Sequence, residues 1–292
     1  MSTASRATGE PGQGGEAAAG HDRGVDISGH VLVRLGVQMD HLGDGWRFRL
    51  PLRPVLLDDD GHVAFGVLGV LLDLAASQPP AMVERGHFVH ADITIHRLRP
   101  PEDGDLVVSA VAARMGKRSG VLELELHDGA GVHVARSVQE VVFLDDVKVP
   151  LAQGVAARAA FFSQLVGECT LDRPFLETVG VARDDEAGGR PRWTIPLLDR
   201  NRNGYGGLHG GVATALVDAA AAGIVAEATG RPARTRSAAV RYLAPSVAGP
   251  ISAHPEVLHL DDATGAAVVA VRVRDAEGRT TIVADAHVAS AR

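Results

Sequence analysis

Two stretches decide the fold: AFGVLGVLLDLAAS, residues 64–77, and HGGVATALVDAAAA, residues 209–222. Each is a long apolar run interrupted by one aspartate, Asp73 in the first and Asp218 in the second, 145 positions apart. Working outward, the same offset relates Leu98 and Pro100 to Leu243 and Pro245, Gly104 to Gly249, and Leu50-Pro51-Leu52 to Ile195-Pro196-Leu197. Further on, DGAG (128–131) meets DAEG (275–278) at 147, so one short insertion lies between. Matches in order, with a single small indel, indicate an internal duplication.

Each half carries the same signals. A short apolar segment (46–52; 193–197) leads through an Asp/Gly- or Asn/Gly-rich loop into a predicted helix, 64–78 in the first half and 209–229 in the second. Pro79-Pro80 stops the first helix, and Gly230 with Pro232 stops the second. Neither run has a wide polar stripe, so each helix must be buried on nearly all sides. Four β-branched or alternating segments follow each helix: 88–98, 106–113, 121–127 and 132–144, then 237–243, 251–260, 266–274 and 280–289. The expectation is an α+β fold, with two antiparallel sheets each wrapped around a long central helix.

Composition sets the bounds. The 292 residues are 46 % hydrophobic, 22 % charged and 4 % aromatic, which excludes wholesale disorder. The longest charge-free apolar run, Val63–Leu72, is far short of the roughly 20 residues a bilayer needs, so no membrane association is expected. One cysteine, Cys169, excludes a disulfide framework and multi-cysteine zinc sites, and it reads as a small core or linker residue. With 29 basic against 36 acidic residues the net charge is −7, which argues against nucleic acid as a partner. Residues 1–24 have no apolar core and read as a disordered tail. An N-terminal unit at 25–147, a linker helix over 148–171 (152–169 is the helix-like part) and a C-terminal unit at 172–292 complete the division. Each unit is of ordinary domain size.

The strongest local signal is NRNGYGGLHGGVATALVD, residues 201–218. Its glycine pairs mark a sharply bent loop that feeds directly into the buried helix. The amides of His209, Gly210 and Gly211 therefore lie at a helix N-terminus, where unpaired N–H groups can hold a developing oxyanion. Asp218, eight residues beyond Gly210, is a buried carboxylate that needs a reason.

The pattern N-x-x-x-x-x-HGG, then Asp218, then a strand ending Tyr242-Leu243-x-Pro245 resembles the hotdog-fold acyl-CoA thioesterases. It is most similar to the PaaI-like branch, related to 4-hydroxybenzoyl-CoA thioesterases. The resemblance covers about 176–290 and extends more weakly over 31–144, which implies a tandem double hotdog. In that family each active site forms between two units, one giving the loop and oxyanion amide and the other the helix carboxylate. Two composite sites follow. In the first, Asn203, His209 and the Gly210 amide face Asp73 and, one turn later, Ser77. In the second, Asp58, Ala64 and Phe65 face Asp218 and Ala222, with no histidine, Phe where Gly belongs and Ala where the hydroxyl belongs.

One working site per chain is therefore expected, with Asp73 as the carboxylate and Asp218 as the second-site candidate. The resemblance implies a thioesterase acting on an acyl-CoA, or on a carrier-protein thioester. Gly210 N–H would stabilise the oxyanion, and Asp73 would act as general base or nucleophile. Ser77 and Asn203 would orient water or thioester, and His209 would hold the loop or contact the pantetheine end. The alternative is a hotdog protein that binds acyl thioesters without hydrolysing them, motivated by the decayed first-half loop.

Coenzyme A brings phosphates, and Arg114, Lys117 and Arg118 in ARMGKRSG offer a cationic turn that the second half lacks. Arg231, Arg234 and Arg236 are the other basic cluster. No cofactor and no metal are expected. Period-two alternation puts His87 on the opposite strand face from His90 and Asp92 in HFVHAD, which counts against a metal site there. A dehydratase reading is discounted because His87 follows the helix rather than preceding it. Thr94 and Thr214 read as packing residues. The expected location is the cytoplasm, and a homodimer of double hotdogs is the further assembly the resemblance allows.

Overall fold

The computed structural model describes residues 29–42, 45–144, 168–185 and 191–290. The expected tail, 1–24, and the expected linker helix as far as residue 167 lie outside the described residues. Cys169, at the end of that segment, is partly buried and carries no disulfide.

Strands form where inward β-branched or leucine side chains alternate with outward polar ones. In β11 (Ala266–Arg274) buried and exposed positions alternate strictly at its two ends, and in β5 (Ser119–His127) Leu122, Leu124 and Leu126 point inward. The first half gives β1 (Gln38–Leu42), β2 (Gly45–Leu50), β3 (Phe88–Arg97), β4 (Leu106–Met115), β5 and β6 (His133–Phe143). The second gives β7 (Ala182–Asp184), β8 (Arg192–Ile195), β9 (Ala233–Tyr242), β10 (Ile251–Asp261), β11 and β12 (Thr280–Ser290). Strand β9 begins four residues earlier than the alternation suggested. The left-handed Gly230 ends the preceding helix abruptly, and the chain turns straight into the sheet.

The two expected sheets are one. Strands run in the order β1-β2-β4-β5-β6-β3-β9-β12-β11-β10-β8-β7, antiparallel throughout. Read outward from the centre, each half repeats the same arrangement. The join is β3 against β9, with Ile93 opposite Val240 and Ile95 opposite Ala238. Pairing these strands leaves neither of them an open edge.

The helices are α1 (Val31–Leu35), α2 (Phe65–Ala75), α3 (Pro80–Arg85), α4 (Phe175–Val179) and α5 (Gly210–Thr229); α2 packs against β2, β3 and β4, and α5 against β8–β12. The first long helix is shorter than its apolar run suggests. After Ala75 the chain tightens through i→i−3 bonds at Ala76, Ser77 and Gln78, and Pro79 caps a new helix, α3, rather than simply stopping the old one. Helix α5, 20 residues of mean hydropathy 1.5, is long and apolar enough to cross a membrane by length and composition, despite Asp218 and Glu227. Counting charge-free runs misses this. Here its apolar surface is taken up by β9–β12 and by α2, as in a core helix.

Helices α2 and α5 meet backbone to backbone. A Cβ on Gly211 would lie 2.4 Å from the Val70 Cα, and one on Gly66 would lie 2.5 Å from the Ala215 Cβ. The approach is possible only because these positions lack side chains. It is also what lays the first turn of α5 against Asp73.

Candidate active site at the crossing of two helices

Loop 201–209 is held by its own polar groups. Asn201, fully buried, donates from Nδ2 to Val179 O (2.8 Å) and Pro196 O (3.2 Å). Asn203 accepts from Tyr205 N–H (3.0 Å) and Gly207 N–H (3.1 Å) through Oδ1, an Asx-turn that closes the bend. Gly206, at φ +80°, supplies the left-handed residue within it. The Asn203 carbonyl oxygen is thus committed to the loop rather than to Asp73.

Helix α5 then begins at Gly210, with His209 as its N-cap. Gly211 N–H donates to Asp73 Oδ2 at 2.7 Å, reaching from one half of the chain to the other. His209 Nδ1 lies 3.2 Å from the same oxygen. His90, on β3, puts Nδ1 3.0 Å from Asp73 Oδ1, and its Nε2 lies 2.9 Å from Gln139 Oε1 on β6. Gln139 is oriented by donating to Leu72 O (3.1 Å), which can only accept, and to Ser137 Oγ (3.2 Å). Both nitrogens of His90 therefore face acceptors. Tyr242, at the end of β9, donates to the Gly210 carbonyl at 2.8 Å. Among the described residues Gly210 N–H has no partner.

Burial would raise the Asp73 carboxyl, but His209, His90 and the Gly211 amide outweigh it and hold the group well below the usual carboxylate range. Burial, helped by His90, pushes His209 down against the pull of Asp73. The two directions cannot both rest on a charged His209. What keeps Asp73 ionised whatever the state of that ring is donation from Gly211 and His90. Burial, with Asp73 and Asp92 nearby, drives Tyr242 well up, so its hydroxyl stays a donor.

The sequence-derived set divides accordingly. Asp73, His209 and the first turn of α5 come together. Ser77 does not join them: its buried hydroxyl donates to Leu74 O at 2.8 Å, a bond to its own helix. Thr214 likewise returns its proton to Gly211 O (2.6 Å), and Thr94 to Asp92 Oδ1 (3.1 Å).

Alternation alone misplaced His90. A bulge at Ala91 inserts one residue into β3, so that His90 opposes the buried Val141 while Asp92 opposes the exposed Glu140. His90 therefore faces the helices, and Asp92 turns outward to Arg241 (3.6 Å). Tyr242 stood in a quoted motif without a role, and Gln139 gave no signal.

At the 145-residue offset Asp218 takes the place of Asp73, and its surroundings differ at every step. Ala64 and Phe65 replace His209 and Gly210, Thr235 replaces His90, and Arg97 replaces Tyr242. Phe65 fills the core, 2 % exposed. Burial pushes the Asp218 carboxyl up, against smaller opposing pulls from Thr235 and Arg97. Arg97 pairs with Asp58, whose carboxyl is pushed up to about 6 by burial and by Asp60. Asp60 in turn meets His62 (3.1 Å) and Arg234 (2.8 Å).

The cationic residues Arg114, Lys117 and Arg118 are exposed and have no ion pair among the described residues, whereas Arg234 is engaged by Asp60. Their turn stands at the sheet end from which the helix crossing is reached: Phe143 N–H donates to Arg118 O (2.9 Å), Phe143 opposes Phe88, and Phe88 meets His90 edge to face at 5.7 Å.

Residues 205–282 match the thioesterase superfamily, and residues 19–143 match the acyl-CoA thioesterase C-terminal domain. Comparison with the curated proteins finds no match. Among solved structures, a tesB protein of Mycobacterium avium subsp. paratuberculosis superposes with a TM-score of 0.62 at 12 % identity, covering 90 % of this chain and 98 % of that one. A conserved hot dog fold protein of Alicyclobacillus acidocaldarius gives 0.59 at 12 %, covering 90 % and 98 %. The 12:0-ACP thioesterase of Umbellularia californica gives 0.56 at 11 %, covering 85 % and 95 %. At these identities the likeness establishes the fold: the chain is a hotdog-fold protein whose two halves each match a thioesterase family.

Proposed function

We propose that the chain is a double hotdog that hydrolyses an acyl thioester, acyl-CoA or an acyl carrier thioester, at one composite site between its halves. The observation that carries this is Asp73, an ionised carboxylate on α2 gripped across the halves by the Gly211 amide and flanked by His209 and His90. The HGG sequence at the start of α5 keeps the second unit close to the PaaI-like pattern, while the likeness to the tesB protein runs through both halves, over 90 % of this chain.

The roles follow from the geometry. Both Asp73 oxygens already accept N–H bonds, which weakens each as a nucleophile but leaves lone pairs to hold a water. Asp73 takes a proton from that water as its oxygen attacks the thioester carbon. The carbonyl oxygen becomes an oxyanion against Gly210 N–H; a donor in this role is worth about 3 kcal/mol. Collapse breaks the C–S bond, and the sulfur leaves with the proton that Asp73 took, giving free acid and thiol. His90 and Gln139 fix the carboxylate's orientation, and Tyr242 fixes Gly210 through its carbonyl. Asp218 has Arg97 near it and, at the offset of 145, Phe65 in place of Gly210, so the arrangement used for this step is not repeated there.

Arg114, Lys117 and Arg118 are the proposed grip for the phosphates of coenzyme A. The test is release of free thiol from acyl-CoA, acyl-pantetheine and acyl-carrier panels. Wild type releases thiol, and Lys117→Ala/Arg118→Ala raises KM for acyl-CoA by about tenfold, the scale of one charged hydrogen bond, without changing it for acyl-pantetheine. Stoichiometric binding of acyl-CoA with no thiol release would make the chain a thioester-binding protein instead.

A further inference from the structure

We infer that the outer face of the β5–β6 hairpin is a binding site for a divalent first-row transition ion such as Zn2+, with Glu125, His127 and His133 as its ligands. His127 and His133 are the closing pair of the hairpin, directly opposite in register, and the extra residue of the adjoining bulge is Val134 on β6, so β5 keeps its alternation. Their rings stack with centroids 4.6 Å apart at 17°. Glu125, two residues before His127 on the same strand face, is exposed, and each of the three offers a ligand atom within 4.8 Å of the others. Ligand atoms on one tetrahedral ion at about 2.1 Å are about 3.4 Å apart. Side-chain rotation supplies the difference without moving the backbone.

Two further observations point to a ligand. His133 Nε2 is buried and has no hydrogen-bond partner, which costs free energy unless something fills its coordination. His133 also lines an open groove of about 610 Å³, with Leu98, Arg99 and Val132, so its ring is reached from solvent. Arg97 lines the same groove, but Asp58 balances its charge. Two imidazoles and one carboxylate, with positions left open, are a donor set for Zn2+ or its first-row neighbours rather than Mg2+ or Ca2+. The other His/Asp grouping, Asp58, Asp60 and His62, already has its carboxylate charge balanced by Arg97 on Asp58 and Arg234 on Asp60, although Asp58 Oδ1 and His62 Nδ1 make no hydrogen bond.

This site lies away from Asp73. Gln139 lies six positions beyond His133 on β6, about 20 Å of strand, so the ion pins the hairpin and takes no part in thioester chemistry.

Calorimetric titration of the chelator-stripped full chain with ZnCl2 tests it, with Co2+ absorption in the visible as a second readout. One saturable site per chain is expected, about a hundredfold or more weaker in His127→Ala/His133→Ala and about tenfold weaker in Glu125→Gln. Because Glu125 is exposed, the second variant folds whatever the fate of the first. Binding in Asp73→Asn is unchanged. The assignment is overturned by absence of saturable binding in wild type, by binding that survives in the double histidine variant, or by binding lost in His62→Ala instead.

Discussion

Replacing Asp73 by Asn removes the charge and basicity of one carboxylate while keeping its shape. The Asn carbonyl oxygen can still accept from Gly211 N–H in place of the 2.7 Å bond to Oδ2, so the crossing of α2 and α5 is retained. The new amide group then faces His90 Nδ1, where a carboxylate oxygen stood at 3.0 Å. A positioned general base is worth about 10²–10⁴ in rate, or about 3–5 kcal/mol of barrier. In a steady-state thiol-release assay at pH 7, kcat should fall by that factor with KM nearly constant. Asp218→Asn should stay within about threefold, because Ala64 and Phe65 stand where His209 and Gly210 stand in the other half. The pH profile gives an independent check. Asp73 is held below the ordinary carboxylate value, so the acid limb of kcat/KM should lie below about pH 4. A limb near the histidine range would name a histidine as the base. Retained activity in Asp73→Asn with loss in Asp218→Asn would refute the assignment outright.

In Gly210→Ala the new Cβ would sit 2.8 Å from Asp73 Oδ2 and 3.4 Å from the Tyr242 hydroxyl. The carboxylate must shift by a few tenths of an ångström to an ångström, and kcat should drop by about a hundredfold while the circular dichroism spectrum is unchanged. Gly69→Ala places a Cβ 1.7 Å from Thr214 Oγ1 and 2.8 Å from Gly211 O, so chemical denaturation should show a loss of about 1–3 kcal/mol; adding Thr214→Ala recovers part of it, and full recovery would show that the backbone contact is slack. Stability against pH separates two carboxylates of opposite shift. Asp58, pushed up to about 6, contributes stability that is complete below about pH 3.9 and lost as pH rises through 6, so Asp58→Asn should flatten that stretch of a Tm profile. Asp73, held low, contributes stability above about pH 3.9 that is lost on acidification. The Tm gap between wild type and Asp73→Asn should therefore narrow below that pH.

Much of the chain could be read from periodicity. The apolar runs around Asp73 and Asp218 gave both long helices, and alternation located most strands to within two residues, because a strand with one buried face must alternate. The offset of 145 paired the halves, and the resemblance to a family whose sites form between two units then set Asp73, not the nearer Asp218, opposite His209. Local rules failed where a local feature broke the period. The bulge at Ala91 turned His90 inward and Asp92 outward, and Pro79 began a helix where it was read only as an end. Ser77 has the right type and spacing for a site residue, yet a helix end offers its hydroxyl the Leu74 carbonyl first.

What the sequence alone determined was which residues are apolar and at what period, hence two similar units, each with a buried helix and antiparallel strands. Tertiary structure decided the rest. Pairing of β3 with β9 made two sheets one, since an inner strand's unpaired N–H and C=O groups must find partners somewhere. The close crossing at Gly66, Gly69 and Gly211 set Asp73 against the first turn of α5, and β3 and β6 carried His90 and Gln139 to it. A carboxylate's charge state depends on donors arriving from several strands and helices, and no spacing within one segment encodes their meeting.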